Sequence, residues 1–239
     1  MKTLKLMSLV VMMLSASLVY GADNEIYVEQ SGDTANLDLE QLGSANIIGG
    51  LNSSTGNMTP LDLDGDTMTL DINQIGSTNK FLGDITADNF TGFFEFDGST
   101  NNFTIQVDPT NTYGADGSDV NVDVTGSSND FTLDLGTSSM ASNTDLDWII
   151  NGDSNDIDFD INYDGGTSYM DIDGDSNTVD FVGSGYAGGY FYLDQTGDSR
   201  TFNIQQLSTL DNDWLKILST GDNGTVCVIQ NDGGTSVGC

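Results

Sequence analysis

Histidine is absent from the 239 residues. That absence removes every His-based triad, proton shuttle and imidazole metal site. Two cysteines are too few for a four-ligand zinc centre. Lys and Arg together number 5. Binding a phosphate backbone or an anionic membrane surface needs clustered cations, so neither nucleic acid nor such a surface is expected as a partner. Proline occurs twice. Apolar runs long enough to matter are confined to one, from Leu6 to Val19. It is short for a membrane span, so no membrane insertion is expected.

What is present is acid and glycine. There are 37 Asp and Glu, giving a net charge of -32, and 29 Gly. All the acids except Glu25, Glu29, Glu40 and Glu95 are Asp, a poor helix former and a good turn residue. Short strands and many turns follow. Eleven Phe and 8 Tyr argue against a disordered acidic chain.

Lys2 and Lys5 precede the Leu6–Val19 run, and Gly21 and Ala22 follow it. This is the layout of a secretory signal. Residues 1–21 are therefore expected to direct secretion to the cell exterior, with a repeat domain over 22–230 and a Cys-bearing tail over 231–239. Secretion permits a disulfide. Cys227 sits between core-facing Val226 and Val228, and the glycines near Cys239 let the tail fold back. A Cys227–Cys239 bond would close a loop of about 13 residues. A link between copies competes with it.

A phrase recurs through the rest of the chain: strand, Gly-(Asp/Ser)-x-Asn, strand. Its glycines are Gly32, Gly43, Gly65, Gly76, Gly98, Gly126, Gly152, Gly174, Gly197 and Gly221. The gaps are 11, 22, 11, 22, 28, 26, 22, 23 and 24 residues, so the base unit is two strands and two turns. Four residues before each glycine the side chain is apolar in every case, from Val28 to Ile217. Three residues after it stand Asn46, Asn79, Asn101, Asn129, Asn155 and Asn177. Apolar residues then alternate, as in Phe103 and Ile105 or Phe131 and Leu133. Period two means strands with one buried face. In-phase apolar columns mean units that stack on one another. The expected fold is all-β, a solenoid of about eight or nine two-stranded rungs, roughly 40 Å tall at ~4.8 Å per rung. Gly-x-x-Asn is read as its tight turn. The opposite turn is read as loose, carrying the inserts 49–60, 108–119, 136–145, 162–168 and 183–189.

Gln41-Leu-Gly43-Ser-Ala-Asn46 and Gln74-Ile-Gly76-Ser-Thr-Asn79 resemble the repeats of curlin, the subunit of curli amyloid fibres. Gln30-Ser-Gly32 and Gln195-Thr-Gly197 match in part, and Arg200 replaces the Asn of the latter phrase. The resemblance implies a secreted subunit that polymerises head to tail with itself into fibres for adhesion and biofilm matrix. It also implies a nucleator and an outer-membrane secretion pore as partners. In that family inward Gln and Asn form hydrogen-bonded ladders, a role open to Gln30, Gln41, Gln74 and Gln195. The residues alone equally allow these to face solvent.

Stacking would place like charges on neighbouring rungs at Asp134, Asp158, Asp160 and Asp180, unless salt screens them or a divalent cation neutralises them. The richest oxygen sets for Ca²⁺ are Asp62, Asp64 and Asp66, and Asp171, Asp173 and Asp175. The second set lacks the Gly and Glu of an EF-hand loop, having Ser176 and Val182 there. Solvated surface acids are the other reading. No other cofactor is expected. No catalytic constellation interrupts the repeat, so the chain is read as a non-enzyme. A polysaccharide-active enzyme using an acid pair is the minor competitor. The main alternative to a fibre subunit is a monomeric, calcium-stabilised adhesin or carbohydrate-binding module. Its aromatic residues would come from Tyr113, Tyr163, Tyr169, Tyr186, Tyr190 and Tyr192, which could equally be core.

Overall fold

The computed structural model describes residues 24–51, 58–108, 117–136, 143–163, 165–185, 189–208 and 213–231. The expected leader and Cys239 lie outside these residues. No helix occurs among the described residues.

The strands in chain order begin with β1 (Asn24–Ile26), β2 (Glu29–Ser31), β3 (Thr34–Leu42), β4 (Ala45–Ile48), β5 (Gly50–Leu51), β6 (Met58–Thr59) and β7 (Leu61–Asp64). Next come β8 (Thr67–Ile75), β9 (Thr78–Thr86), β10 (Asn89–Asp97), β11 (Thr100–Val107), β12 (Asp119–Thr125), β13 (Asp130–Leu135) and β14 (Asp145–Asn151). The last are β15 (Asp156–Tyr163), β16 (Thr167–Asp173), β17 (Thr178–Gly185), β18 (Tyr190–Thr196), β19 (Thr201–Ser208), β20 (Trp214–Thr220) and β21 (Thr225–Gln230).

Apart from β5 and β6, which pair with each other antiparallel, they form two parallel sheets facing each other. The first runs β1-β4-β9-β11-β13-β15-β17-β19-β21, with β2 and β7 beside this path. The second runs β3-β8-β10-β12-β14-β16-β18-β20. The chain alternates between them and pairs each strand with the one a full circuit earlier. The result is a β-solenoid of about seven turns.

Eight or nine rungs were expected, and the difference has a local cause. Gly32 and Gly65 do not share the tight turn of the other glycines. They lead from the first sheet to the second, whereas Gly43, Gly76 and Gly98 lead from the second to the first. The two 11-residue gaps are therefore half circuits. The 49–60 insert is also placed differently. It interrupts a first-sheet strand, since β4 and β7 both pair with β9. The inserts after β11, β13, β15 and β17 do share one side of the stack.

Inward side chains stack in columns because parallel register is kept: Phe81 pairs Phe103, which pairs Phe131, which pairs Ile157. Phe81, Phe103, Phe131, Trp148 and Phe159 are all essentially inaccessible to solvent. Phe103 stacks on Phe81 at 5.2 Å between centroids, and Trp148 meets Phe159 edge-on at 4.3 Å. Each such ring contributes on the order of 2–3 kcal/mol by burial.

The tight turns set how closely rungs approach. At each of Gly76, Gly98, Gly126, Gly152, Gly174, Gly197 and Gly221, a Cβ would overlap the carbonyl oxygen of the preceding glycine in the column. From Gly126 onward the turn also holds a left-handed residue two places later: Ser128, Ser154, Ser176, Ser199 and Asn223, at φ 57–61°. Asn tolerates that conformation better than Ser.

Two substitutions test this turn by denaturant unfolding. Gly174→Ala is expected to lower stability by about 3 kcal/mol or more, because its methyl would meet backbone that cannot give. Ser176→Asn is expected to raise it by about 0.5 kcal/mol.

Candidate functional site: ladders and open ends

The Asn of the repeat faces inward just after the tight turn. Asn46, Asn79, Asn101, Asn129, Asn155 and Asn177 are buried. Each of the first five donates its side-chain N–H to the Oδ1 of the next: Asn46 to Asn79 at 2.8 Å, Asn79 to Asn101 at 2.7 Å and Asn101 to Asn129 at 2.9 Å. Asn129 donates to Asn155 at 2.7 Å, and Asn155 to Asn177 at 2.9 Å. Asn24, which sequence reading missed because Gly21, three residues before it, was taken as part of the leader, starts the ladder by donating to Asn46 at 3.0 Å. In the same turns the amides also satisfy carbonyls, as when Asn177 donates to Gly174 O at 2.7 Å.

Arg200 ends the ladder. A guanidinium has donors and no acceptor, so Asn177 cannot hand on a bond to it. Arg200 is buried and donates instead to Gly197 O and, at 3.0 Å, to Gly221 O. Gly224, one rung on, leaves the space that the long side chain fills.

The glutamines also turn inward. Gln41, Gln74 and Gln195 are buried and Gln30 is half-buried. Gln74 donates to Gln41 Oε1 at 2.7 Å. Gln206 and Gln230, which carry no Gly-x-x-Asn signal, form a second pair in the first sheet, with Gln230 donating to Gln206 Oε1 at 2.8 Å. Between the ends the same columns hold Phe96, Val124, Ile150 and Ile172 in the second sheet, and Val107, Leu135 and Ile161 in the first. Inward glutamine is thus restricted to the end rungs.

Those ends are open among the described residues. At one end β1 and β3 are edge strands, with Ile26, Val28, Leu37 and Leu39 only partly buried against the core. At the other, Val226 and Val228 continue the Phe202 and Ile204 columns yet are 50% and 43% exposed.

The calcium sets do not converge. Among the described residues no group of three or more Asp, Glu, Cys or His is placed to hold a metal ion. Asp62 and Asp64 lie two apart on β7, as do Asp171 and Asp173 on β16, and same-face strand neighbours stand ~7 Å apart. Asp66 lies in the turn after Gly65. Asp175 is engaged elsewhere, accepting from the backbone N–H of Asp198 at 2.7 Å. Asp153 does the same for Asp175 at 2.8 Å.

The outer face of the first sheet carries the expected like-charge contacts. Asp130 pairs Asp156, Asp134 pairs Asp160, and Asp158 pairs Asp180. Amides border them. Asn102 donates to Asp130 at 3.1 Å, Gln106 to Asp134 at 2.9 Å, and Asn203 to Asp180. Burial first, and neighbouring carboxylates second, hold Asp156, Asp158 and Asp160 above the usual Asp range.

Tyr169, Tyr190 and Tyr192 are on the outer face of the second sheet, not in the core. Tyr190 stacks on Trp214 at 3.9 Å and Tyr169 on Tyr192 at 5.0 Å, with Lys216 Nζ 4.6 Å from the Tyr192 ring centre. Tyr113, Tyr186 and the Tyr163 side chain lie outside the description. No cysteine among the described residues is free. Cys227 lies on β21, while its expected partner Cys239 lies outside the described residues.

Two measurements check the site. Asn129→Ala would strand buried donors of Asn101, whose backbone and side-chain N–H groups both reach Asn129 Oδ1. A loss of about 2–4 kcal/mol in denaturant unfolding is expected. Carboxylates whose folded pKa is raised favour the fold once protonated. Their contribution is complete below the unfolded value near 3.8 and lost as pH rises through the folded value. Thermal stability should therefore rise as pH falls from 7 toward 4, and Asp158→Asn should raise the pH 7 melting temperature while shrinking that acid-side gain.

No family model matches the chain, and neither does any curated protein or solved structure.

Proposed function

We propose that this chain is a secreted structural subunit that polymerises head to tail into curli-like extracellular fibres, serving adhesion and the biofilm matrix. The observation that carries the reading is that both ends of the stack are open among the described residues. Both expose parallel strand edges and core-facing side chains, and both line the interior with glutamine. An open parallel edge is a template for another strand. Two unlike ends give a contact that does not close on itself, which makes filaments. The Asn ladder supports the same reading, since ladders of identical amides recur in stacked-strand assemblies. The curlin-like phrases fall where this reading needs them, with Gln41 and Gln74 near one end and Gln195 near the other. A leader over residues 1–21 would deliver the subunit outside the cell, with a pore and a nucleator as further partners.

The test is electron microscopy and fibre diffraction of the secreted chain. Unbranched filaments with a ~4.7–4.8 Å meridional spacing are expected. Their growth should accelerate from low to moderate salt as the acidic surface is screened. A chain that stays monomeric at high concentration across salt and pH overturns the reading.

A second reading, a monomeric carbohydrate-binding adhesin, draws on the exposed rings of Tyr169, Tyr190 and Trp214. Saturable binding of a polysaccharide by the monomer, lost in Trp214→Ala, would favour it.

A further inference from the structure

We infer that copies of this chain join through the first sheet, β21 of one copy pairing in register with β1 and β2 of the next. This rests on the head-to-tail reading above and adds the joint itself. Three independent features of the two ends point to it.

The first is the match of inward side chains. Along the first sheet, one column begins at Ile26 and ends at Val226, and the next begins at Val28 and ends at Val228. A third begins at Gln30 and ends at Gln230. Both terminal levels therefore read apolar-x-apolar-x-Gln. Setting one on the other places Val226 against Ile26, Val228 against Val28 and Gln230 against Gln30 of the next copy.

The second is the sense of the glutamine bonds. In each pair the later rung donates to the earlier: Gln74 to Gln41, and Gln230 to Gln206. At the joint, Gln30 of the next copy is the later member and Gln230 Oε1 the acceptor. Among the described residues of one copy, Gln30 Nε2 has only an exposed 3.4 Å contact to Ser31 O. The joint would complete a three-member ladder Gln206–Gln230–Gln30 and remove water from it.

The third is charge. The chain has a net charge of -32, yet strands β19, β20 and β21 carry no carboxylate, and β20 carries Lys216. The opposite end carries Glu25 on β1, Glu29 on β2, and Asp38 and Glu40 on β3. Strands without carboxylates, bordered in their turns by Asp213 and Asp222, thus meet strands that carry four, and no column of strand carboxylates crosses the joint. Mid-stack strands lack this property, since Asp130 there pairs Asp156. The first sheet has one more strand level than the second, so the second sheet resumes one level later across the joint. Lys216 and Asp38 then fall in one outward column, with one strand level between them.

The register has a direct test. Thr225 follows Glu25 in the outward column, at the far end of the stack. Thr225 is exposed, so Thr225→Asp should leave the monomer's melting temperature nearly unchanged, and it sets a carboxylate opposite Glu25 of the next copy. Seeded elongation at low salt is expected to slow about fivefold, the effect of a like pair directly opposed on neighbouring strands. The double variant Thr225→Asp/Glu25→Lys should regain the original rate or exceed it. Within one copy the two positions are at opposite ends, so rescue can arise only across a joint. Filaments that elongate equally with and without Thr225→Asp, or a double variant as slow as the single, overturn this joint and leave head-to-tail assembly standing. An unsubstituted chain that forms no filaments overturns both.

Discussion

At each tight turn a carbonyl oxygen occupies the place where the next rung's glycine would carry a methyl group. That approach holds the rungs at main-chain hydrogen-bonding distance on both sheets at once. Every other regularity depends on it. The Asn amides meet at 2.7–2.9 Å because their Cα atoms repeat at the strand spacing. The aromatic columns touch for the same reason. A residue with a side chain at Gly174 would not merely strain one loop; it would separate two rungs along their whole width.

Polarity inside the stack is sorted by position. The middle is apolar and aromatic, centred on Phe103, Trp148 and Phe159, where burial is complete and a glutamine would need partners above and below. One corner beside the tight turn is a continuous amide ladder, which satisfies itself because each Asn is both donor and acceptor. Inward glutamine is confined to the rungs near the two ends, and its outermost members, Gln30 and Gln230, are open to solvent within one copy. There it tolerates water until something covers it, then finds partners in another amide. Arg200 belongs to this scheme: it serves the carbonyls of two turns and stops the Asn ladder one rung short of the end.

The outer surface carries the opposing tendency. Asp130, Asp156, Asp158 and Asp180 repeat at strand spacing because the repeat itself repeats them, and their mutual repulsion is the cost of an acidic surface on a stacked fold. It is moderated by amides at the borders of the cluster, Asn102, Gln106 and Asn203. It is absent from β19, β20 and β21. A surface that repels its copies sideways while leaving its ends uncharged or complementary favours growth along one axis over lateral clumping.

The alternation of apolar residues, the in-phase glycines and the Asn three residues later were enough to determine a stacked-strand solenoid, because a period of two and a constant offset admit few other packings. The tight turn and the side of most inserts were legible in the same pattern, whereas it marked the Asn only as a turn residue and inward Asn came from the likeness to curlin repeats. What the pattern could not decide was which of the two turns a given glycine occupies. Gly32 and Gly65 have the apolar residue four places before and lack the Asn three places after, but so do Gly197 and Gly221, which are tight turns, and only the closing of a circuit against a neighbour distinguishes the two kinds. The same holds for Gln206 and Gln230, which lack the phrase and pair only because register brings them together. It holds also for the calcium sets, whose carboxylates are close in sequence and apart in space because an extended strand spaces same-face residues ~7 Å apart. Local chemistry determined that this chain would stack; tertiary structure decided what meets what, since a contact between rungs is set by the length of a whole circuit and not by any residue's neighbours in sequence.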